Sequence, residues 1–206
     1  MSIAIPGIPV GNFASVLRMI DKCGGRATVV STPAELANFD RLIIAGVGAF
    51  DYGMANLRDG GWIDALNEMV LQRRVPALGI CLGMQLMCTS SEEGGLPGLG
   101  WVDAEVKRLR PEAGSGLKVP HMGWNTVRVK RSNPLLDGED GEQRFYFVHS
   151  YYVACRRDGD VLATAHHGAD FVAAVNHDNI YGVQFHPEKS HRFGMALLQN
   201  FVNLQC

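Results

Sequence analysis

Along roughly the first 95 residues, short apolar runs rich in β-branched side chains alternate with longer stretches whose apolar positions recur at helical spacing. The runs are "SIAI", "ATVV", "RLIIAG" and "PALGI"; the stretches are residues 12–23, 54–73 and 82–91. Alternation of that kind requires helical crossovers and predicts a parallel sheet. From Trp101 the pattern changes to "WVDAEVKRL", "GWNTVRVK", "RFYFVHSYYVA", "DVLATA", "DFVAAVNH" and "NIYGVQFH", parted by Gly, Asp and Asn with no helical stretch between them. Adjacent strands without crossovers pair antiparallel. A final amphipathic stretch, "FGMALLQNFVNL", predicts a helix that packs the chain end on the sheet. No linker or repeat divides the two halves, so the expectation is one α/β domain over residues 1–206 with a shared sheet and core.

Composition narrows the function classes. A formal charge of -2 without a basic block gives no footprint for nucleic acid, and no apolar run reaches the length of a membrane span. The opening "MSIAIPGIPVGN" has neither the basic start nor the long apolar core of a signal peptide, which predicts a cytoplasmic protein. The five cysteines (Cys23, Cys81, Cys88, Cys155 and Cys206) are scattered without a CxxC pair, which predicts neither a disulfide framework nor a metal site.

One cysteine stands apart. In Gly79-Ile80-Cys81-Leu82-Gly83 the thiol sits where a strand turns directly into a helix, the G-x-C-x-G counterpart of a nucleophile elbow. There a helix N-terminus favours the thiolate, and the Leu82 N–H points to where a carbonyl oxygen would gain charge. From this window alone, a buried thiol flanked by packing glycines is an equal reading. Among the seven histidines, His186 in "GVQFHPEKS" has Glu188 two residues on, which in extended backbone projects to the same side and braces the imidazole. A third element is Gly46-Val47-Gly48 after the run "RLIIAG", a loop placed to supply a second oxyanion N–H.

Loop, elbow and His-Pro-Glu, in this order along the chain, resemble the class I (triad) glutamine amidotransferases over essentially the whole chain. The segments "GVGAF", "GICLGMQLM", "PHMGWN", "YFVHSYY" and "GVQFHPEKS" are similar in particular to the glutaminase subunits of imidazole glycerol phosphate synthase. The resemblance implies a flavodoxin-like open sheet with a parallel core and an antiparallel C-terminal extension. It implies a triad of Cys81, His186 and Glu188 that hydrolyses glutamine without metal or cofactor. Oxyanion donors would be the N–H of Leu82 and that of Val47 or Gly48. Gln85, the Gly48 backbone and the backbone around His149, Ser150 and Tyr151 would hold glutamine.

The same resemblance implies, as partner, a cyclase built as a (β/α)8 barrel and faced by Asn12, Trp124 and Lys189, in a heterodimer of histidine biosynthesis. A paralogue feeding ammonia to a sugar-amidating partner, or a non-catalytic regulatory subunit, would share the fold. Two departures stand out: Ala45 occupies a position where the family usually has proline, and Gly7-Ile8-Pro9-Val10-Gly11-Asn12 replaces D-x-G-x-G-N.

Overall fold

The computed structural model describes residues 1–11, 13–138 and 141–204. Its organising element is a sheet of twelve strands. The parallel part consists of β1 (Ser2–Pro6), β2 (Arg26–Val30), β3 (Arg41–Gly46) and β4 (Ala77–Cys81), linked through α1 (Phe13–Lys22), α2 (Phe50–Asp59) and α3 (Trp62–Asn67). After β4 come α4 (Leu82–Leu86), the two-residue β5 (Ser90–Ser91), β6 (Ala104–Arg108), β7 (His121–Val129), β8 (Gln143–His149) and β9 (Tyr151–Cys155). The chain finishes with β10 (Val161–His167), β11 (Ala169–His177), β12 (Ile180–Val183) and α5 (His191–Asn203).

The sheet runs β2-β1-β3-β4-β12-β11-β10-β7-β8, with β5, β6 and β9 branching from β11. Along the main order pairing is parallel from β2 to β12 and antiparallel from β12 onward, in line with the change of pattern at Trp101, while in the branch the short β5 pairs parallel with β6. Two-residue periodicity divides the core: Ala4, Leu42 and Ile44 pack with Phe50, Met54, Leu57 and Trp62 on one face. Ile3, Ile5 and Ile43 pack with Val16, Ile20, Leu197 and Phe201 on the other. Among the described residues no helix is long and apolar enough to cross a membrane.

Four expectations need correction. The stretch 54–73 is not one helix: Gly60 and Gly61 end α2, Gly61 at φ 68° admits a left-handed turn, and α3 runs on as a π-helical turn over Glu68–Gln72. The helix after Cys81 stops at Leu86 rather than continuing to residue 91. Backbone N–H groups of Leu99, Trp101 and Gly100 take the carbonyls of Leu86, Met87 and Cys88, and Ser90–Ser91 joins β6. "RFYFVHSYYVA" is two strands with different neighbours, β8 on β7 and β9 on β6 and β11, broken at Ser150. Finally, Pro187–Lys189 form a 3-10 turn, so extended backbone is not what brings Glu188 to His186.

Candidate active site

Register assembles the site. Parallel pairing sets Gly46 opposite Cys81 and Val183 opposite Ile80, so the loop after β3 and the residues after β12 flank the nucleophile at the carboxyl ends of their strands. Cys81 holds φ 53° and ψ -107°, a strained geometry for a residue with a side chain. The two glycines permit it through close approach: a Cβ at Gly83 would stand 1.7 Å from the Ile44 carbonyl oxygen, and one at Gly79 2.6 Å from the Met84 nitrogen. Behind the elbow α4 is buried all round, and Cys88 lies in the core, where burial pushes its thiol up and keeps it unreactive.

His186 follows β12, with its backbone N–H on the Tyr146 carbonyl of β8 (2.9 Å). Ser190 fastens the turn, its hydroxyl donating to the His186 carbonyl (2.6 Å) and accepting from the Tyr146 N–H (3.0 Å). Helix α5 closes in from behind; a Cβ on Gly194 would lie 1.8 Å from the Pro187 carbonyl oxygen. The turn carries Glu188 back so that its Oε1 sits 2.8 Å from His186 Nδ1. His186 Nε2 is buried and has no hydrogen bond at normal distance among the described residues. Burial opposes the imidazolium, but hydrogen bonding toward Cys81 and to Glu188, with the charges of both, outweighs it and lifts the pKa to about 9.

In front of Cys81 opens a cavity of about 440 Å³, lined among others by Val47, Gly48, Leu82, Gln85, His149, Ser150 and Tyr151. All seven residues expected at the glutamine pocket thus meet around the nucleophile. Gln85 donates through Nε2 to the Tyr151 carbonyl (3.1 Å) and to Gln184 Oε1 (3.0 Å), leaving its own carbonyl oxygen as its free polar group. The loop departs from expectation. The Val47 N–H donates to the Val10 carbonyl (2.5 Å) and so is turned away from an oxyanion at Cys81. Its acceptor belongs to the segment 7–12 that departs from the family pattern.

Sequence reading missed two residues here. Gln184, fully buried, donates from Nε2 toward Cys81 Sγ at 3.7 Å. A glutamine inside the apolar run "YGVQFH", two positions before His186, is the signal that could have found it. Glu93 is the one acidic side chain among the described residues lining the cavity, and its Oε2 also accepts the Phe50 N–H (2.8 Å) at the start of α2. The expected partner surface is brought together in part. Trp124 is 40% exposed, stacked on His191 at 5.4 Å and edge-on to Tyr146 at 6.2 Å, while the exposed Lys189 places Nζ 5.9 Å above the same Tyr146 ring. Asn12 lies outside the described residues.

A strained cysteine elbow, a histidine braced by glutamate and a cavity lined by backbone and amide groups have the geometry of a thiol nucleophile with its base. The chain belongs to the class-I glutamine amidotransferases, matching that family over residues 10–204. Within it, the chain is 48% identical to "Imidazole glycerol phosphate synthase subunit HisH 2" of Pseudomonas aeruginosa, over 95% of this chain and 96% of that one. It is 48% identical to the HisH 2 protein of Methanococcus maripaludis, over 97% and 98% of the two chains. The fold is shared with a chain of the solved PurLQS structure from Thermotoga maritima, with a TM-score of 0.75, 16% identity and coverage of 98% and 97%.

Proposed function

We propose that this chain is the glutaminase subunit of imidazole glycerol phosphate synthase in histidine biosynthesis, and that residues 1–206 act as a single glutaminase domain. The observation that carries the chemistry is His186, hydrogen-bonded through Nδ1 to Glu188 with Nε2 left free beside Cys81. The Cys81 thiolate attacks the side-chain amide carbon of glutamine. His186 gives its proton to the departing nitrogen, ammonia leaves, and a glutamyl thioester remains. Water then yields a proton to His186 as it attacks the thioester, releasing glutamate and restoring the thiolate. Leu82 N–H serves the oxyanion, joined by Val47 N–H once it leaves Val10; Gln85 takes the substrate through its carbonyl oxygen, and Glu93 its ammonium group.

Ammonia passes to a cytoplasmic cyclase subunit built as a (β/α)8 barrel, which forms imidazole glycerol phosphate and an aminoimidazole carboxamide ribotide. In the complex, Cys81→Ala is expected to abolish synthesis from glutamine and leave synthesis from ammonium salt near wild type, because the triad makes ammonia and does not use it. Equal loss of both activities would overturn the assignment. A second reading, delivery of ammonia to a sugar-amidating partner, would keep the same elbow and His-Pro-Glu turn and fits the departures at Ala45 and residues 7–12. Failure of a histidine-pathway cyclase to bind the chain or to draw ammonia from it would select that reading.

A further inference from the structure

The segments "PHMGWN" and "YFVHSYY" meet as a cross-strand pair. Antiparallel register sets His121 directly opposite His149, so their side chains share a face. A line of hydrogen bonds runs through them: Asn125 Nδ2 to His121 Nε2 at 3.2 Å, His121 Nδ1 to His149 Nε2 at 3.0 Å, and His149 Nδ1 to the Tyr151 carbonyl at 2.8 Å. That carbonyl is also the acceptor for Gln85, whose second N–H meets Gln184, which in turn faces the Cys81 sulfur.

Every direction in the line is forced. A carbonyl oxygen only accepts, so His149 carries its proton on Nδ1 and offers Nε2 as a lone pair. His121 must then donate from Nδ1 and accept at Nε2. At the far end Asn125 Nδ2 also donates to the His166 carbonyl (2.8 Å), which fixes the nitrogen, and not the oxygen, toward His121. Both ends demand the same pair of neutral tautomers. We propose that Asn125 is a positioning residue for glutamine hydrolysis: its amide N–H sets His121 and His149 as Nδ1–H tautomers and through them holds the Tyr151 carbonyl and Gln85 at the glutamine pocket.

The surroundings keep both rings uncharged. Burial lowers His149 to about 3 and His121 to about 4, and the titratable neighbours facing them push the same way. These are His167 of β10, stacked on His121 at 4.3 Å, and His186, which acts on His149; the remaining contacts include the rings of Phe147 and Phe171.

The inference rests on the glutaminase reading, and Asn125→Asp tests it with two independent measurements. A carboxylate only accepts, so it calls for a proton on His121 Nε2. The chain then survives only while His121 is doubly protonated, a form the new anion favours, and breaks as pH rises and Nδ1 loses its proton. At saturating cyclase, the ratio of the variant's glutamine KM to that of wild type is expected near one at about pH 6 and about ten at about pH 9, so that titrations common to both proteins cancel. Nitrogen-15 NMR of the imidazoles should show Nδ1–H tautomers for both histidines in the unliganded wild type and their loss at His121 in the variant at high pH. His121→Asn, whose amide can present an N–H where Nδ1 stood, should recover KM relative to His121→Leu. Nε2–H tautomers in the wild type, or a variant with wild-type KM at both pH values even if its melting temperature drops, would overturn the proposal. A wild-type complex that fails to hydrolyse glutamine would sink the glutaminase reading instead, while the tautomers remain readable by NMR.

Discussion

On one side of Cys81, Gln184 and Gln85 form a buried chain of side-chain hydrogen bonds that ends on the Tyr151 carbonyl. On the other side, the Gly46–Gly48 loop leaves Val47 49% exposed, and Gly48 stands at φ 115° with nothing near its missing Cβ. The first wall is fixed by burial, since breaking one bond strands another polar group in the core. The second is tied by a backbone hydrogen bond from Val47 to Val10 and has open space beside Gly48. The contrast separates two kinds of wall: the Gln184–Gln85 side is preorganised by burial, and the Gly46–Gly48 loop has room to change conformation.

The largest effect should come from breaking the fixed wall. Gln184→Met keeps side-chain length but strands a Gln85 N–H and removes the donor at Cys81. Glutaminase kcat/KM in the complex should fall about 100-fold, near 3 kcal/mol, while synthesis from ammonium salt persists. A loss under threefold would show that this wall tolerates disorder. Next comes the surface through which the loop would be controlled. Trp124→Ala should weaken complex formation by about 2 kcal/mol without losing the cooperative melt, because the indole packs on the half-buried Tyr146 and the exposed His191 and fills no core site. Lys189→Ala should instead cut the partner's stimulation of glutaminase more than its affinity, measured by titrating the cyclase while following both; full stimulation at saturation would remove Lys189 from the route.

A smaller effect concerns the base behind both walls. The pKa of His186 is raised in the fold from 6.5 to about 9, so its stabilisation is complete below 6.5 and is lost as pH rises through about 9. Glu188→Gln removes one source of that rise, so urea titrations between those pH values should show a shallower loss of stability than wild type. An unchanged slope would assign the rise to Cys81 alone. The smallest effect is at the hinge of the moving loop: Ala45→Pro restricts φ just before Gly46, and basal glutaminase without partner should drop a few-fold. An unaltered basal rate would mean that Ala45 does not ease the loop's movement.

The glycine loop and the buried wall were not equally legible in the sequence. Glycines, the elbow cysteine and His-Pro-Glu announce themselves by residue type, because left-handed turns and close approaches admit few alternatives. The strands announce themselves by period. Gln184 does not, since one buried amide in an apolar run looks like any polar interruption, and its meaning comes from Gln85, 99 positions away in sequence. The direction of the Val47 N–H was equally hidden, because it depends on where a carbonyl from the segment after β1 arrives. Glu188 was found through the wrong geometry: a side chain can reach its neighbour but one through a tight turn as well as along a strand. The break between β8 and β9 was masked because "RFYFVHSYYVA" keeps apolar and aromatic residues across Ser150, where the chain changes neighbours.

Cys81 and His186 are each seated by a glycine whose hydrogen faces a backbone carbonyl, Gly83 against Ile44 and Gly194 against Pro187. Backbone cannot be repacked as a side chain can, so these two positions offer mutation almost no viable neighbouring sequence. Drift in this lineage must therefore leave the separation of thiol and imidazole alone and accumulate where a new side chain meets open space, as at Gly95 and Gly159. New partners or new rates would evolve by rewriting the rim of the enzyme around an unaltered pair of reactive groups.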